Sequence, residues 1–505
     1  MPTTEARARR EQYWLTRFLF LRLLGGIYFV AFLSLSQQVL PLLGAHGLLP
    51  AHSYLDNLRS VYGDGRSAFL ALPTVFWLDC SDAALSTLAY VGTALGAVVL
   101  LGFANAPLLA VLWFLYLSFV HVGQLFYGYG WEILVLETGF LAIFLCPALD
   151  GRPFPPRVPP PTAVIWLLRW VLFRVMFGAG LIKLRGDACW RDLTCMLYHY
   201  ETQPLPNPFS WYLHQLPSAL HTIEVLGNHC VELIVPWTLF APRRLRHVGG
   251  TLLVGFQLYL VVSGNLSWLN WLTIALCIAC FDDQALSHVV PARWLQRAAE
   301  RSGVFPSRTR RAVIYALTGL IFYLSIGPTR NLLASQQVMN GSFDRLHLVN
   351  SYGAFGSIGR RRHEIILEGT SDRALSHSTQ WQAYEFKCKP GDVERRPCIV
   401  APYHYRLDWQ VWFAAMEDVR SNLWLLHFIE KLLHNDAGAL SLLANNPFPD
   451  RPPRFIRAEL YEYEFTRFGD HSRAWWRRQR IGSYLPPLSL ENTAFLKALH
   501  DQGWE

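Results

Sequence analysis

The chain has 505 residues, of which 52% are hydrophobic, 14% aromatic and only 16% charged, where a globular average carries roughly 25% charged. That composition excludes an ordinary soluble protein, and a mean hydropathy of only +0.19 excludes a bare bundle of membrane helices. The net charge of +8 resides in arginines gathered in short loops between apolar runs, as topology determinants do, and neither a phosphate loop nor a zinc-spaced Cys/His set accompanies it, which argues against a nucleic-acid partner.

Residues 1–16 form a basic tail with Arg7, Arg9 and Arg10, followed by Arg17 and an apolar run from Phe18 to about Leu43. The run is too long for a signal-peptide core and has no small-residue cleavage site, so it reads as a retained anchor with a cytoplasmic tail. Apolar stretches of membrane-spanning length recur at 17–38, 84–103, 107–126, 132–149, 162–183, 220–240, 247–263, 266–281 and 311–328. This predicts a polytopic α-helical bundle of about nine spans over 17–330, a count open by two because 247–281 reads as a tight hairpin. Phe69–Leu78, interrupted by Pro73, reads as an interfacial helix.

The connections support this arrangement. Arg152, Arg157, Arg243, Arg244, Arg246, Arg293, Arg297, Arg301, Arg308 and Arg310 all fall in loops on the side of the amino terminus, as the positive-inside rule requires. An odd count then puts everything after Thr329 across the bilayer, in a lumen or periplasm.

Glu132, Glu137, Arg169, Arg174, Lys183, Glu224 and Glu232 lie inside the apolar runs. Such groups are costly in lipid and face the bundle or a wet cavity, often in pairs. Glu137 with Arg174 is the expected pair. Lys183 has two further readings: a base in a luminal cavity, or a side chain snorkelling to the interface.

The 184–219 loop mixes charges, aromatics and prolines. Cys189 and Cys195 are six apart; if the segment is helical they point to different faces, so separately packed thiols are expected over a bridge. His199, Glu201, His214, His221 and His229 lack the spacing of a metal site. Pro204, Pro206 and Pro208 force an extended path, expected along the membrane surface with Trp211 and Tyr212 at the interface.

From about Ser335 to 505 the sequence predicts a β-rich domain with a helix. Period-two patterns at His363–Gly369, Trp381–Cys388, Leu407–Phe413 and Arg454–Phe465 predict strands, and leucines at helical spacing predict a helix within Leu423–Asn445. Cys388 and Cys398 flank the Pro390-Gly391 turn, where a hairpin would let them bridge. Asn340-Gly341-Ser342 is a glycosylation acceptor pattern; Asn265-Leu266-Ser267 also fits but lies too close to the membrane. Arg406, Trp409, Trp412, Tyr461, Tyr463, Trp475 and Trp476 belong to an arginine-aromatic set of interface composition, about half of whose aromatics should pack inward. His404 and Asp408 form the nearest approach to a catalytic pair, with no nucleophile motif beside them.

The runs Gly178–Pro208, Ser263–Asp283, Gln337–Ser357 and Tyr384–Ala415 resemble the lipase maturation factor family. The resemblance implies a multi-pass protein of the endoplasmic reticulum membrane, or of an inner membrane if bacterial, without a cofactor. It implies a non-catalytic role in folding, dimer assembly and secretion of lipases such as lipoprotein lipase, contacted through the carboxy-terminal domain. A shorter run, Ala179-Gly180-Leu181-Ile182-Lys183-Leu184 with Asp187 and Trp190, is similar to the active-lysine helix of the vitamin K-dependent gamma-carboxylase family. It implies the alternative of a membrane enzyme with Lys183 as base.

Overall fold

The computed structural model describes residues 12–155, 158–299 and 307–504; Arg7, Arg9 and Arg10 of the tail, and Arg157 and Arg301, lie outside them. Among the described residues five helices are long and apolar enough to cross a membrane: α1 (Trp14–Leu43), α2 (Asp82–Leu100), α5 (Thr162–Arg185), α7 (Arg243–Ser263) and the rod Arg308–Leu333, whose first part is α9 (Arg308–Leu324). Each coincides with an expected span. The other four expected spans are helices that are short or broken: α3 (Ala106–Val122), α4 (Gly130–Leu145), α6 (Ser218–His229) and α8 (Leu269–Cys277). After α6 the backbone loosens into a π turn at Cys230–Ile234 and a 3-10 turn at Val235–Phe240, because Pro236 cannot supply an amide to the ladder.

Local chemistry fixes the helix ends. Ser81 accepts from the Ala84 amide at 3.2 Å to start α2, and Asn105 accepts from Leu108 at 2.9 Å to start α3. α1 is largely buried and lies against α2; a side chain at Gly25 would strike the Val99–Leu100 backbone, so the two helices meet at glycine.

The carboxy-terminal part is built on a four-stranded antiparallel sheet of order β2-β1-β3-β4: β1 (Arg362–Thr370), β2 (Gln382–Ala383), β3 (Phe455–Phe465) and β4 (Trp476–Leu488). β1 pairs along its whole length with β3, with Ile366 opposite Glu459. α11 (Trp424–Leu433) and a short helix at Ala437–Ser441 supply the expected helical interruption.

Three expectations need correction. Of the Trp381–Cys388 strand only Gln382–Ala383 pairs in the sheet. Leu407–Phe413 is not a strand but part of α10 (Arg406–Ala414): Leu407, Val411 and Ala414 are buried on one side and Trp409 on another, so apolar residues surround the helix and blur its period. β4 was not expected because its Arg477, Arg478 and Arg480 break any apolar alternation; as an edge strand it carries exposed charges and Pro486-Pro487, both suited to an edge.

The hydrophobic core continues from Tyr13 in the bundle to Leu499 in the carboxy-terminal part. The sheet domain is seated on the helices.

Candidate functional site

Three groups of buried charges hold the two parts together. At the start of α4, Glu132 accepts from Arg406 Nη1 at 2.7 Å, and the same nitrogen donates to the Phe126 carbonyl at 2.6 Å; Tyr116 donates to the other Glu132 oxygen. One turn further, Glu137 pairs with Arg174 of α5, as expected, and accepts from the Asn350 amide at 3.0 Å and Tyr352 hydroxyl at 2.7 Å. In β1, Glu364 lies between Arg362 and Lys389, 2.5 and 2.8 Å away, and Arg362 also donates to the Glu201 and Pro204 carbonyls at 2.9 Å each. A buried charge left unpaired is strongly destabilising, so these bonds hold the bundle, the 184–219 loop and the sheet in one register.

Neutral groups add to the lock. Gln38 and Ser34 of α1 donate to the His404 carbonyl at 2.8 and 2.9 Å. Asn265, only 2% exposed, donates to the Cys398 carbonyl and accepts from the Val400 amide, each at 2.9 Å, which removes it as a glycosylation acceptor. Asn340 stands exposed in a turn at φ +52°.

Lys183 is neither snorkelling nor free. It is 5% exposed and donates to both Glu232 oxygens at 2.6 and 2.7 Å and to Asn228 Oδ1 at 3.0 Å. Its nitrogen lies 5.0 Å from the centroid of the Trp190 ring, while Asp187 is spent on Arg360 at 2.7 Å. All three ammonium donors are engaged.

The other suggested pair does not form either. Asp408 accepts from the Cys388 and Lys389 amides at 2.6 and 2.9 Å, and burial pushes its carboxyl up to about 6. His404 is wedged among Tyr129, Trp131 and Trp409 with neither ring nitrogen hydrogen-bonded, and burial holds it well below the usual imidazole range. Among the described residues no group of three or more His, Cys, Asp or Glu side chains is placed to hold a metal ion.

Both cysteine pairs come together. Cys388 and Cys398 are bonded with Cα atoms 5.6 Å apart. Cys189 and Cys195 are bonded as well, at 4.8 Å, against the expectation of separate thiols. The helix assumed there does not continue: Leu193 takes φ +58°, and the Thr194 and Cys195 amides both turn back to the Cys189 carbonyl.

Of the arginine-aromatic set, Arg406, Trp409, Tyr463 and Trp476 are at most 4% exposed, which withdraws them as a contact surface. Arg406 is bound to the bundle, and Trp476 stacks on Phe465 with centroids 4.1 Å apart. Tyr461, Trp412 and Trp475 keep part of their surface. Trp475 joins a cluster that was not foreseen: Trp211 lies 5.7 Å from it and 4.9 Å from Phe468, and Tyr212 lies 6.0 Å from Phe468. The 184–219 loop therefore packs on the β3–β4 hairpin. Phe468 and Tyr212 are 64% and 50% exposed, with Arg467 and Arg477 exposed nearby. Beneath the loop, burial raises Glu201 to about 7 and lowers His214, 3.7 Å away, to about 4.

Between bundle and sheet lies a cavity of about 630 Å³, walled by α5, α7, α10 and the 352–363 segment. Trp409, Trp412, Phe413 and Met416 line it, at helical spacing.

Apolar helices of membrane-spanning length, locked through buried ion pairs to a disulfide-bearing antiparallel sheet domain, define a multi-pass membrane protein with a docked polar domain. The family model described as the lipase maturation factor transmembrane domain matches residues 15–288, and that of the lipase maturation factor carboxy-terminal domain matches 348–486. Human lipase maturation factor 1 is 49% identical over 97% of this chain and 90% of its own length; the bovine protein is 49% identical over 96% and 91%. Mouse lipase maturation factor 2 is 31% identical over 96% of the chain and 84% of its own length. The chain belongs to the lipase maturation factor family. No solved structure matches it.

Proposed function

We propose that this protein is a membrane-anchored maturation factor that assists folding, dimer assembly and secretion of lipases, lipoprotein lipase among them. The observation that carries this reading is the 49% identity to lipase maturation factor 1, which spans both the helical and the sheet parts. The role is that of a chaperone rather than a catalyst, a reading supported by the closed pairing of Lys183 and the dispersal of His404 from Asp408. The membrane is that of the endoplasmic reticulum. The shorter helices α3, α4, α6 and α8 cross it in the shelter of the five long ones, giving nine crossings; five or nine alike put the tail in the cytoplasm and the sheet domain in the lumen. Disulfides in the sheet domain and the adjoining loop agree with an oxidising lumen, where Asn340 serves as glycan acceptor.

The client meets the exposed aromatic cluster of Phe468, Tyr212 and Trp475 with its arginines, a composition suited to the apolar surface of an unfinished lipase. Cells lacking the protein and expressing lipoprotein lipase provide the test. Rescue with the unsubstituted chain should restore secreted lipase activity, and Phe468→Ser combined with Tyr212→Ser should lower that rescue severalfold at unchanged protein level. Full rescue by the double variant would move the contact elsewhere; no rescue by the unsubstituted chain would overturn the role.

A further inference from the structure

The cavity between the bundle and the sheet domain is bordered by Tyr352 and Arg362 of the docking bonds but by no member of the exposed aromatic cluster. It is a partly open pocket of about 630 Å³, with the exposed Met339 and Met416 among its lining. It falls inside the range of about 300–1,000 Å³ that ligand sites occupy. Its walls are mainly apolar, with Met176 and Ala179 on α5, Phe256 and Leu260 on α7, and Trp412 and Phe413 on α10. Water is a poor occupant for such walls, because a buried water needs two to four polar partners. α5 and α7 are among the helices of membrane-spanning length.

The polar groups on the wall restrict the occupant further. Lys183 and Glu232 neutralise one another, and Asn228 closes the cluster by donating to Glu232 at 3.0 Å. This part of the wall offers no unpaired charge to a charged head group. Two buried groups are under-satisfied. His199 is 9% exposed and its Nδ1 has no hydrogen-bond partner. Gln257 is 4% exposed, and its Nε2 donates to the Met176 thioether at 3.4 Å, a weak acceptor. A hydroxyl or an ester carbonyl would satisfy Gln257 directly, and His199 once its ring turns toward the cavity.

We propose that this cavity binds a neutral single-chain lipid of the monoacylglycerol class, its chain against the aromatic and aliphatic wall and its head oxygens at His199 and Gln257. At about 30 Å³ per methylene, close to the share of a water molecule in bulk, a chain of ~18 carbons takes roughly 540 Å³, a size the cavity can hold. The site is distinct from the client surface and does not depend on it.

The test uses a diazirine-bearing monoacylglycerol on the full-length protein in membranes. Irradiation should label peptides within 175–183, 256–273 or 409–416. Unlabelled monoacylglycerol should compete, while lysophosphatidylcholine and palmitate should not. Ala354→Trp and Ala179→Phe, which place bulk in the cavity, should each lower labelling at least fivefold. Labelling confined to other peptides, equal competition by the charged amphiphiles, unchanged yield in the filled variants, or no labelling at all would each overturn the proposal. If a filled variant fails to accumulate, the labelled peptides and the competition in the unsubstituted protein decide the matter.

Discussion

Glu132 and Arg406, 274 positions apart in the chain, meet as a fully buried ion pair at 2.7 Å. The Arg406 guanidinium also lies over the Tyr127 ring, 3.5 Å from its centroid, so the carboxy-terminal part is fastened to the bundle by one side chain with several partners. Removing one member of such a pair leaves the other charged and buried, at a cost of about 3–5 kcal/mol. Arg406→Met and Glu132→Gln should each lower the unfolding temperature of the purified protein markedly. The double variant should be more stable than the sum of the two losses implies, as coupled neighbours are. Additive losses would show that the pair contributes little.

Lys183 gives a second prediction, because its partner decides the outcome. Lys183→Ala leaves Glu232 without its cation and should reduce the amount of folded protein. Lys183→Met with Glu232→Leu removes both charges and should recover much of that loss. Secreted lipase activity, normalised to the level of this protein, should be the same in both variants as in the unsubstituted chain. Normal abundance with lost activity in the double variant would instead assign Lys183 a chemical role.

The cysteines make a third. Alkylation of the unreduced protein should spare Cys189, Cys195, Cys388 and Cys398 until a reductant is added. In the chain-entropy relation, closing the ten-residue separation of Cys388 and Cys398 is worth about 3 kcal/mol. The six-residue separation of Cys189 and Cys195 is worth about 2 kcal/mol in the same relation. Ser substitutions at the first pair should therefore cost more stability than at the second.

Glu201 and His214 should have opposed effects on stability against pH. Burial raises Glu201 from 4.5 to about 7, so the folded state holds that proton more tightly, and its contribution declines as pH rises from about 4.5 to 7. Burial lowers His214 from 6.5 to about 4, so its contribution declines as pH falls from 6.5 towards 4. Glu201→Gln keeps an acceptor for the Phe465 amide and should make melting temperature rise more steeply with pH over this window than in the unsubstituted chain. His214→Gln should make it rise less steeply. Parallel profiles for all three proteins would refute the assignment.

Much of this architecture is written locally in the chain. The five long helices, β1, β3, the Glu137–Arg174 pair and the Cys388–Cys398 bridge follow from apolar length, alternation and turn chemistry. What escaped depends on distant partners. α10 is covered on several sides, which erased its helical period, and β4 carries exposed arginines because its register comes from β3. Trp409 and Tyr463 read as surface residues until the elements that cover them are known. Leu193 hid the Cys189–Cys195 bridge, since nothing in its side chain announces a left-handed turn. A cavity at Lys183 was legible from the ionisable residues inside apolar runs, but its extent was not, since its walls come from segments more than two hundred residues apart.

Gln38 and Ser34 sit in α1, yet the carbonyl that both bond belongs to His404, 366 and 370 positions further along the chain. Until that carbonyl is made these two groups lack it as an acceptor, and α1 is completed only when the carboxy-terminal part docks. A nonsense codon anywhere before position 404 would do more than remove the sheet domain. It would also take from α1 the acceptor that Ser34 Oγ and Gln38 Nε2 share, leaving Gln38 its bonds to Ser34.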